Sequence, residues 1–380
     1  MRIALTLALV LISLLSVFQP PTNFFWMMAS VVQEAGHFLA PACLLVLWWN
    51  ARNGFLGRAG VALLFLATFL FLSPLMRAMV TGHRLQKEFE VGFGKTLAQS
   101  EGYQRLAPIQ WKQLFLGIPA SHSSPKTMLY TNLHQEKFAL DFYPTAQPKA
   151  PCIVIVHGGG WDSGDRTNLD PLNHYLSDLG YAVATVDYGL SPEHLYPTPV
   201  EDVESAIRFL QEHGSELGID IARIVLLGRS AGGQIALQVA YSPNKIPGIV
   251  GVVAYYAPAD MVYGYHAPCN PRILDSRKLM EKYLGRKYSE DPAAYRASSP
   301  IEALTTKAPP TLLLHGIPDV LVAYEHTRRM EVKLTKLGVP HFTVDLPWAT
   351  HGFDYIFSGP GSQVGLYFLE RFLLKVTKSH

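Results

Sequence analysis

A serine set among small residues, between an apolar run and a helical segment, constrains this chain more than any other feature. Gly228–Gly232 follows the G-x-S-x-G pattern around Ser230. The preceding run Arg223–Leu227 is mostly apolar, as expected of a buried parallel strand, and Gln234–Ala240 has the character of a helix. A sharp strand–turn–helix connection is cramped, which explains the glycines. The pattern predicts Ser230 as a nucleophile presented at the end of a strand.

A second glycine-rich segment, His157–Trp161, follows another predicted strand, Cys152–Val156. Glycines allow backbone N–H groups to approach a tetrahedral oxyanion closely, and removing one such donor typically costs about 2.7–4 kcal/mol of transition-state stabilisation. We expect the N–H groups of Gly159 and Gly160 to act as donors, together with that of Ala231. The alternative is a turn that only connects a strand to a helix. The other residues of the two motifs are expected to support the site: His157, Gly158, Trp161, Gly228 and Gly232.

An acid and a base follow the serine in the order Ser, Asp, His. Thr311–Gly316 is predicted to be a strand, and Asp319 lies just beyond its end. Phe342–Leu346 is predicted to be the next strand, and His351 lies in the loop after it. His351 would take the serine proton, and Asp319 would orient the imidazole. Asp260 is the competing acid.

The alternation of strands and helices from Ile153 onward predicts a mostly parallel sheet covered on both faces. Residues from about 125 to 376 resemble the α/β-hydrolase fold of the carboxylesterase group. The likeness is greatest to the acetyl/feruloyl-esterase-like and isoprenylcysteine-methylesterase-like branch, with kynurenine formamidase as a more distant relative. Beyond the glycine-rich loop and the segments that carry Ser230, Asp319 and His351, the similar stretches are Asp187–His194, Pro197–Asp202 and Ser298–Ile301.

This resemblance implies a carboxylic ester hydrolase with a triad of Ser230, Asp319 and His351, a neutral ester substrate and no cofactor. Two positions depart from the family pattern. Gly189 stands where these enzymes usually carry an arginine, and Arg229 stands where hormone-sensitive-lipase relatives often carry an aspartate. The alternatives are a non-catalytic membrane scaffold or ligand sensor on the same fold, and a peptidase or amidase.

Composition narrows the possible partners. Charged residues make up 16% of the chain, against about 25% in an ordinary soluble domain. The formal net charge of +2 gives no reason to expect a nucleic-acid partner. The three cysteines do not form a disulfide framework, and no spacing of Cys, His and carboxylates predicts a metal site. We expect a small-molecule or lipid-like ester as the substrate.

Most of the apolar excess lies in the first eighty residues. Residues 3–18, 24–49 and 59–80 predict a bundle of about three transmembrane helices within residues 1–82, since about twenty residues cross the hydrocarbon core. The first stretch is short, at about sixteen residues. The alternatives are a signal-like first segment with two spans, or a hydrophobic hairpin lying on the membrane.

Basic residues give a weak indication of topology. Arg52 and Arg58 flank the loop between the second and third predicted spans, and Arg2 is at the N-terminus. The positive-inside rule then places this loop in the cytoplasm and the catalytic domain outside it. Arg77, Arg84 and Lys87, at and after the end of the third span, oppose that assignment.

Two ionisable residues interrupt the second predicted span. Glu34 and His37 are three residues apart and would share one face of a helix. Ionisable groups inside a span are functional candidates by default. Nothing else there suggests ion transport, so we expect them to lie in the interface or to bond to a neighbouring helix.

Residues 83–124 are predicted to be a connecting segment and residues 125–380 the catalytic domain. The domain is expected to begin with an antiparallel hairpin of Met128–Thr131 and Phe138–Tyr143. Residues 262–300 are too long for a simple connection and predict a cap-like insertion over the pocket. Its tyrosines either line an acyl or alcohol site or pack within an ordinary helical insertion: Tyr263, Tyr265, Tyr283 and Tyr288.

Overall fold

An eight-stranded, mostly parallel sheet forms the centre of the molecule. The computed structural model describes residues 2–93, 105–119, 121 and 124–378. The strands are ordered β1-β2-β4-β3-β5-β6-β7-β8; β1–β2 and β2–β4 are antiparallel, and the other neighbours are parallel. Their bounds are β1 Lys126–Thr131, β2 Lys137–Tyr143, β3 Ala150–Val156, β4 Ala182–Val186, β5 Ile219–Arg229, β6 Ile249–Tyr255, β7 Thr311–Gly316 and β8 His341–Leu346.

The apolar runs of the sequence form these strands because both faces of the sheet are buried. In β3, Val154 belongs to one hydrophobic cluster, while Ile153 and Ile155 belong to the other. Side chains alternate between faces along a strand, so a run without polar residues fits only a sheet covered on both sides. The predicted mostly parallel sheet and the antiparallel hairpin are confirmed.

Helices cover both faces of the sheet. The helices after residue 104 are α5 Trp111–Leu116, α6 Asp170–Asp178, α7 Thr198–Glu212, α8 Gly214–Leu217, α9 Ala231–Tyr241, α10 Met261–His266, α11 Ser276–Leu284, α12 Pro292–Ala297, α13 Pro300–Ala303, α14 Glu325–Leu337 and α15 Pro360–Thr377. Helices α7 and α9 contribute to the first cluster, and α6 and α15 to the second. The long interval between β6 and β7 contains the four short helices α10 to α13.

Four α-helices lie within the described residues 2–93: α1 Arg2–Ser13, α2 Asn23–Ala35, α3 Ala40–Asn53 and α4 Arg58–Phe93. Among the described residues, Arg58–Val91 is the helix long and apolar enough to cross a membrane. The pair α2 and α3 meets the same test jointly but is bent by 61°, and the first apolar helix, Arg2–Ser16, is shorter. The described chain therefore has one such helix, or two if the bent pair is one span, against the three expected.

The stretch expected to span the membrane over residues 24–49 does not form one straight helix, because it is bent by 61° between two helices. Helix α2 ends at Ala35, Gly36–Phe38 forms a 3₁₀ turn, and α3 begins at Ala40 with Pro41 in its first turn. A proline is accommodated where its missing N–H would be unpaired anyway. The break also separates Glu34 from His37, so these residues do not share one face of an α-helix as expected.

The fourth helix belongs to two parts of the structure. Its first half packs with α1 and α3 in a third hydrophobic cluster, to which Leu64 and Phe71 belong. Its second half covers the sheet, where Leu85 and Phe89 are buried in the second cluster. Because α4 runs from Arg58 to Phe93 without a break, the predicted boundary at residue 82 falls inside one helix.

The N-terminal helices contact the catalytic part through polar groups as well as apolar ones. Arg84 forms an ion pair with Asp345 of β8 at 3.0 Å. The Asn23 backbone N–H donates to the Arg272 carbonyl oxygen at 3.1 Å. These contacts fix the start of α2 and the second half of α4 against the catalytic part.

Candidate active site

Ser230 lies on a strained turn between β5 and α9. Its φ of 52° and ψ of −120° are uncommon for a residue with a side chain. The strand ends at Arg229 and the helix begins at Ala231, so Ser230 stands at the carboxyl end of a central strand. A Cβ atom on Gly232 would lie 2.1 Å from the His157 carbonyl oxygen, which excludes any larger residue there.

The structure brings Ser230, His351 and Asp319 together. The distance from His351 Nε2 to Ser230 Oγ is 3.0 Å. The distance from His351 Nδ1 to Asp319 Oδ2 is 2.8 Å. Since β5, β7 and β8 lie in one parallel part of the sheet, the segments after them meet at one edge, and the three residues meet there.

The carboxylate of Asp319 is buried and fully hydrogen-bonded. Its Oδ1 accepts from the backbone N–H groups of Leu321 at 2.8 Å and Val322 at 3.0 Å. Its Oδ2 lies 3.2 Å from His315 Nε2 as well as close to His351. Burial alone raises the pKa of Asp319, but the His351 charge and the hydrogen bonds of both histidines outweigh it, and the pKa falls well below its usual range.

His315 lies in β7, four residues before Asp319, and had no predicted role. Its Nε2 is 2.9 Å from the Val322 carbonyl oxygen, and its Nδ1 is 2.7 Å from Thr327 Oγ1. A proton on Nε2 satisfies the Val322 carbonyl and Asp319, while Nδ1 accepts from the threonine hydroxyl. His315 therefore holds the same carboxylate oxygen, Asp319 Oδ2, that lies next to His351.

The glycine-rich loop after β3 lies beside Ser230. Gly159 has a φ of 125° and Gly160 a φ of 61°. A Cβ atom on Gly159 would lie 2.0 Å from the Ser163 carbonyl oxygen, so only glycine fits. Gly160 and Ala231 line one cavity together with Ser230. Ala231 directly follows Ser230 in the chain, and Gly160 lies across the cavity's lining in the loop after β3.

The supporting residues of these motifs pack around the loop. Trp161 Nε1 donates to Gln234 Oε1 at 2.9 Å, and the Trp161 ring stacks on Tyr283 at 4.6 Å. The His157 ring stacks on Tyr188 at 4.3 Å. Burial lowers the pKa of His157, which keeps this ring neutral beside the loop.

Two further glycines occupy positions without room for a side chain. A Cβ atom on Gly158 would lie 3.0 Å from the Arg229 carbonyl oxygen, and one on Gly228 would lie 2.2 Å from the Gly232 carbonyl oxygen. Gly158 therefore allows the loop after β3 to approach the turn after β5 closely, and Gly228 allows that turn to fold tightly onto the first residues of α9.

Asp260, the competing acid, is occupied elsewhere. Its Oδ1 accepts from the Tyr263 backbone N–H at 2.9 Å and caps α10. Its Oδ2 forms an ion pair with Arg329 at 3.1 Å. The described contacts of its side chain join it to these two residues, whereas Asp319 is the carboxylate at His351.

The two departures from the family pattern have structural explanations. The Gly189 backbone N–H donates to the buried carboxylate of Asp202 at 2.8 Å, and Asn132 donates to the same carboxylate at 2.7 Å. A Cβ atom on Gly189 would lie 2.4 Å from the His194 ring, so this loop is anchored without an arginine. Arg229 is buried and paired with Asp354 at 2.5 Å.

The Arg229–Asp354 pair reaches the site through an aromatic ring. Tyr256 donates its hydroxyl proton to Asp354 at 2.5 Å, and the Tyr256 ring lies 4.3 Å from the His351 ring. Sequence reasoning missed this support. Asp354 lies three residues after His351, but no local sequence pattern indicates that it pairs with Arg229, directly before Ser230.

The cavity at Ser230 has a volume of about 60 Å³. Its wall from the insertion consists of small and aliphatic residues: Gly264, Ala267, Cys269, Leu274, Ser276, Leu279 and Met280. The four tyrosines proposed to line it do not do so. Tyr283 is fully buried against Trp161, and Tyr265 and Tyr288 stack on one another. Tyr263 packs on the His326 ring. The insertion thus borders the pocket, but its tyrosines form internal packing.

His326, a buried histidine of α14, lies at the cavity wall. Its Nδ1 accepts from the Asp260 backbone N–H at 3.2 Å. Burial, together with the charges of His315 and Arg329, lowers the pKa of His326 to about 3. This histidine is therefore neutral at ordinary pH. Within the described ranges, no group of three His, Cys, Asp or Glu side chains is arranged to hold a metal ion.

Comparison with protein families gives a match over the catalytic part of the chain. The family described as BD-FAE matches residues 140–334, just over half of the sequence. Esterase LipQ of Mycobacterium tuberculosis is 29% identical over 214 residues, which cover 54% of this chain and 51% of that protein. A probable isoprenylcysteine alpha-carbonyl methylesterase of Arabidopsis thaliana, ICMEL1, is 26% identical and covers 57% and 49%. The chain spans about half the length of the curated relatives it matches.

Solved structures confirm the predicted α/β-hydrolase fold. The structure titled Bacterial Heroin Esterase superposes with a TM-score of 0.60 at 24% identity, covering 79% of this chain and 93% of that one. Carboxyl esterase 2 from the mycorrhizal fungus Tuber melanosporum superposes with a TM-score of 0.56 at 23% identity, covering 70% and 94%. At this level of identity, the likeness establishes the fold alone.

Proposed function

Because the chain belongs to the BD-FAE family, we propose that it is a serine hydrolase that cleaves carboxylic esters through an acyl-serine intermediate. The observation that carries this proposal is the continuous path of hydrogen bonds from Ser230 through His351 to Asp319, with distances of 3.0 and 2.8 Å. The strained backbone of Ser230, with its φ of 52°, supports its role as the nucleophile.

In the proposed reaction, Ser230 Oγ attacks the ester carbonyl while His351 Nε2 takes the hydroxyl proton. The carbonyl oxygen becomes an oxyanion, for which Gly159, Gly160 and Ala231 supply backbone N–H donors. Collapse of the intermediate expels the alcohol, which receives the proton from His351. Water then attacks the acyl-serine with the same base, releasing the acid and restoring the serine. Asp319 stabilises the imidazolium in both halves.

We also propose that the N-terminal helices hold the enzyme in a membrane. Large apolar side chains are 40% or more exposed on all four helices, among them Leu11, Phe24, Leu45 and Phe69. A monomeric protein in water rarely exposes apolar patches beyond a few hundred Å². The apolar stretch of α4 is long enough to cross a bilayer.

The contacts between the two parts support an orientation. Both ends of α2 touch the catalytic part, through Asn23 and Glu34. The second half of α4 touches it as well, so the start of α4, and the turn between α3 and α4 before it, lie at the opposite end of that helix. With Arg52 and Arg58 beside that turn, the proposal places the turn in the cytoplasm and the catalytic part outside it.

A series of soluble esters from acetate upward tests the proposed activity. The wild-type protein in detergent should hydrolyse the short members, and Ser230→Ala should reduce the rate to background. A matched control is Ser215→Ala, which changes an exposed serine of α8 that does not line the cavity at Ser230. Equal rates in the wild type and Ser230→Ala would exclude the proposal. Binding of esters without turnover would favour the ligand sensor instead, and hydrolysis of amides in preference to esters would favour the amidase.

A further inference from the structure

A second cavity adjoins the one that contains Ser230. The inner cavity is about 60 Å³ and is lined by Ser230 with Gly160 and Ala231. The outer cavity is about 240 Å³. The two cavities share three lining residues: Ala267, Cys269 and Ala323. They are therefore adjacent, separated by small side chains.

The outer cavity is walled on one side by the N-terminal part of the chain. Gln19 and Pro20, from the loop between α1 and α2, line it opposite Pro268, Asn270 and Ile273 of the insertion. The segment after β7 completes the lining with Asp319, Val320 and Ala323. The loop is therefore part of the cavity and does more than connect two helices.

Hydrogen bonds attach this loop to the insertion. The Asn23 backbone N–H donates to the Arg272 carbonyl oxygen at 3.1 Å, and Asn23 Nδ2 donates to the Ile273 carbonyl oxygen at 3.2 Å. Asn270 Nδ2 donates to the Pro21 carbonyl oxygen at 3.4 Å. These bonds join the two walls of the outer cavity.

Exposed apolar residues flank the loop on both sides. Val17 and Phe18 precede it and are 50% and 64% exposed. Phe24 and Phe25 follow it and are 61% and 40% exposed. Large apolar side chains that are open to the surroundings at the ends of two apolar helices suit the boundary between a membrane and water.

We infer that the outer cavity is the route by which the acyl chain of a membrane-resident ester reaches Ser230. This inference rests on the proposed function and names its substrate class as esters of long-chain acids held in the bilayer leaflet on the catalytic side. Gly160 and Ala231 line the inner cavity beside the proposed oxyanion, and we assign the acyl part of the ester to this cavity. In this proposal, an acyl chain too long for about 60 Å³ continues past the shared residue Cys269 into the outer cavity and on to the apolar residues beside the loop.

Energetics favour this direction of access. Each methylene transferred from water to an apolar environment contributes about 0.8 kcal/mol, so a long-chain ester resides in the membrane and is scarce in water. A channel that begins at the membrane surface spares the chain from crossing water. A short ester needs only the inner cavity and does not depend on the loop.

The experiment compares two esters on the full-length protein in vesicles of ether-linked phospholipid, which contain no acyl ester of their own. p-Nitrophenyl acetate is the short substrate, and p-nitrophenyl palmitate in the bilayer is the long one. Gln19→Trp and Asn270→Trp place a bulky ring at exposed positions on opposite walls of the outer cavity. Each should lower the ratio of palmitate to acetate kcat/KM about tenfold, the cost of losing roughly two buried methylenes.

Leu45→Trp is the matched control, because Leu45 is 65% exposed on α3 and lines neither cavity. It should leave the ratio unchanged. An unchanged ratio in both Gln19→Trp and Asn270→Trp, with hydrolysis of acetate still dependent on Ser230, would overturn the access route and leave the proposed function standing. Absence of hydrolysis of either ester by the wild type would instead overturn the proposed function, and the route with it.

Discussion

The carboxylate of Glu34, on helix α2, accepts a hydrogen bond from the backbone N–H of Gly361 at 2.7 Å. Gly361 lies in the first turn of α15, and the loop that carries His351 ends where this helix begins. A side-chain oxygen at a helix N-terminus satisfies an N–H that has no partner within the helix. The apolar N-terminal part of the chain thus supports the segment that carries the proposed base.

Loss of the Glu34 carboxylate should destabilise the protein. Glu34→Ala leaves a buried N–H without its partner, which costs about 1–3 kcal/mol, and we expect a lower midpoint of thermal unfolding in detergent. Glu34→Gln should lose less, because its amide oxygen still accepts. Asn53→Ala, which removes an exposed side chain that donates to the Trp49 carbonyl oxygen, is the control. An unchanged midpoint in Glu34→Ala would contradict this role.

Replacing the acid should be severe only at one of the two candidate positions. Asp319→Asn should lower kcat by about ten-thousandfold, as expected when the acid of a triad is lost. Asp260→Asn should leave kcat within a few-fold of the wild type, because Asp260 pairs with Arg329. Steady-state kinetics on a short ester distinguish the two. A severe loss in Asp260→Asn with a mild one in Asp319→Asn would reverse the assignment.

His326 should make the folded state sensitive to acid. Its pKa is about 3 in the folded protein against an ordinary value of 6.5, so between these values the unfolded chain binds a proton that the folded one does not. Stability is therefore lost as the pH falls from about 6.5 toward 3, by at most about 1.4 kcal/mol per pH unit.

Thermal unfolding of His326→Gln between pH 7 and pH 4 measures this effect. The variant should lose less stability on acidification than the wild type, whatever its stability at pH 7. The control His266→Gln replaces an exposed histidine of the insertion and should follow the wild-type slope. Equal slopes in His326→Gln and the wild type would show that His326 does not cause the effect.

The proposed orientation predicts which parts of the chain a protease reaches in intact spheroplasts. The catalytic part should be degraded, while a tag inserted after Gly54, in the turn between α3 and α4, should be protected until lysis. The physical basis is the pair of arginines beside that turn. Protection of the catalytic part with digestion of the tag would show the reverse topology.

The sequence predicted the sheet and the meeting of Ser230, Asp319 and His351 because both depend on short-range patterns. Apolar runs identify strands buried on both faces, and each motif lies within a few residues of a strand end. Parallel strands then bring those ends to one edge of the sheet. The three residues are 121 and 32 residues apart, yet the topology alone makes them neighbours.

Other features could not be predicted because they depend on packing between distant segments. Glu34 and Gly361 are separated by 327 residues, and no local pattern connects an apolar helix with the start of α15. The tyrosines of the insertion have side chains suited to a pocket wall, but Tyr283 stacks on Trp161, and Tyr265 and Tyr288 stack on each other. The break after α2 depends on close contact with α4, where a Cβ atom on Gly36 would lie 2.8 Å from the Phe71 carbonyl oxygen.

Labelling with a fluorophosphonate probe tests the central claim most directly, because the probe reacts only with an activated serine. Mass spectrometry of the labelled full-length protein should locate one adduct on Ser230. Ser230→Ala should remain unlabelled, and His351→Ala should react far more slowly while keeping the wild-type unfolding midpoint within a few degrees. Labelling of Ser230→Ala at the wild-type rate, or an adduct on a different serine, would contradict the account.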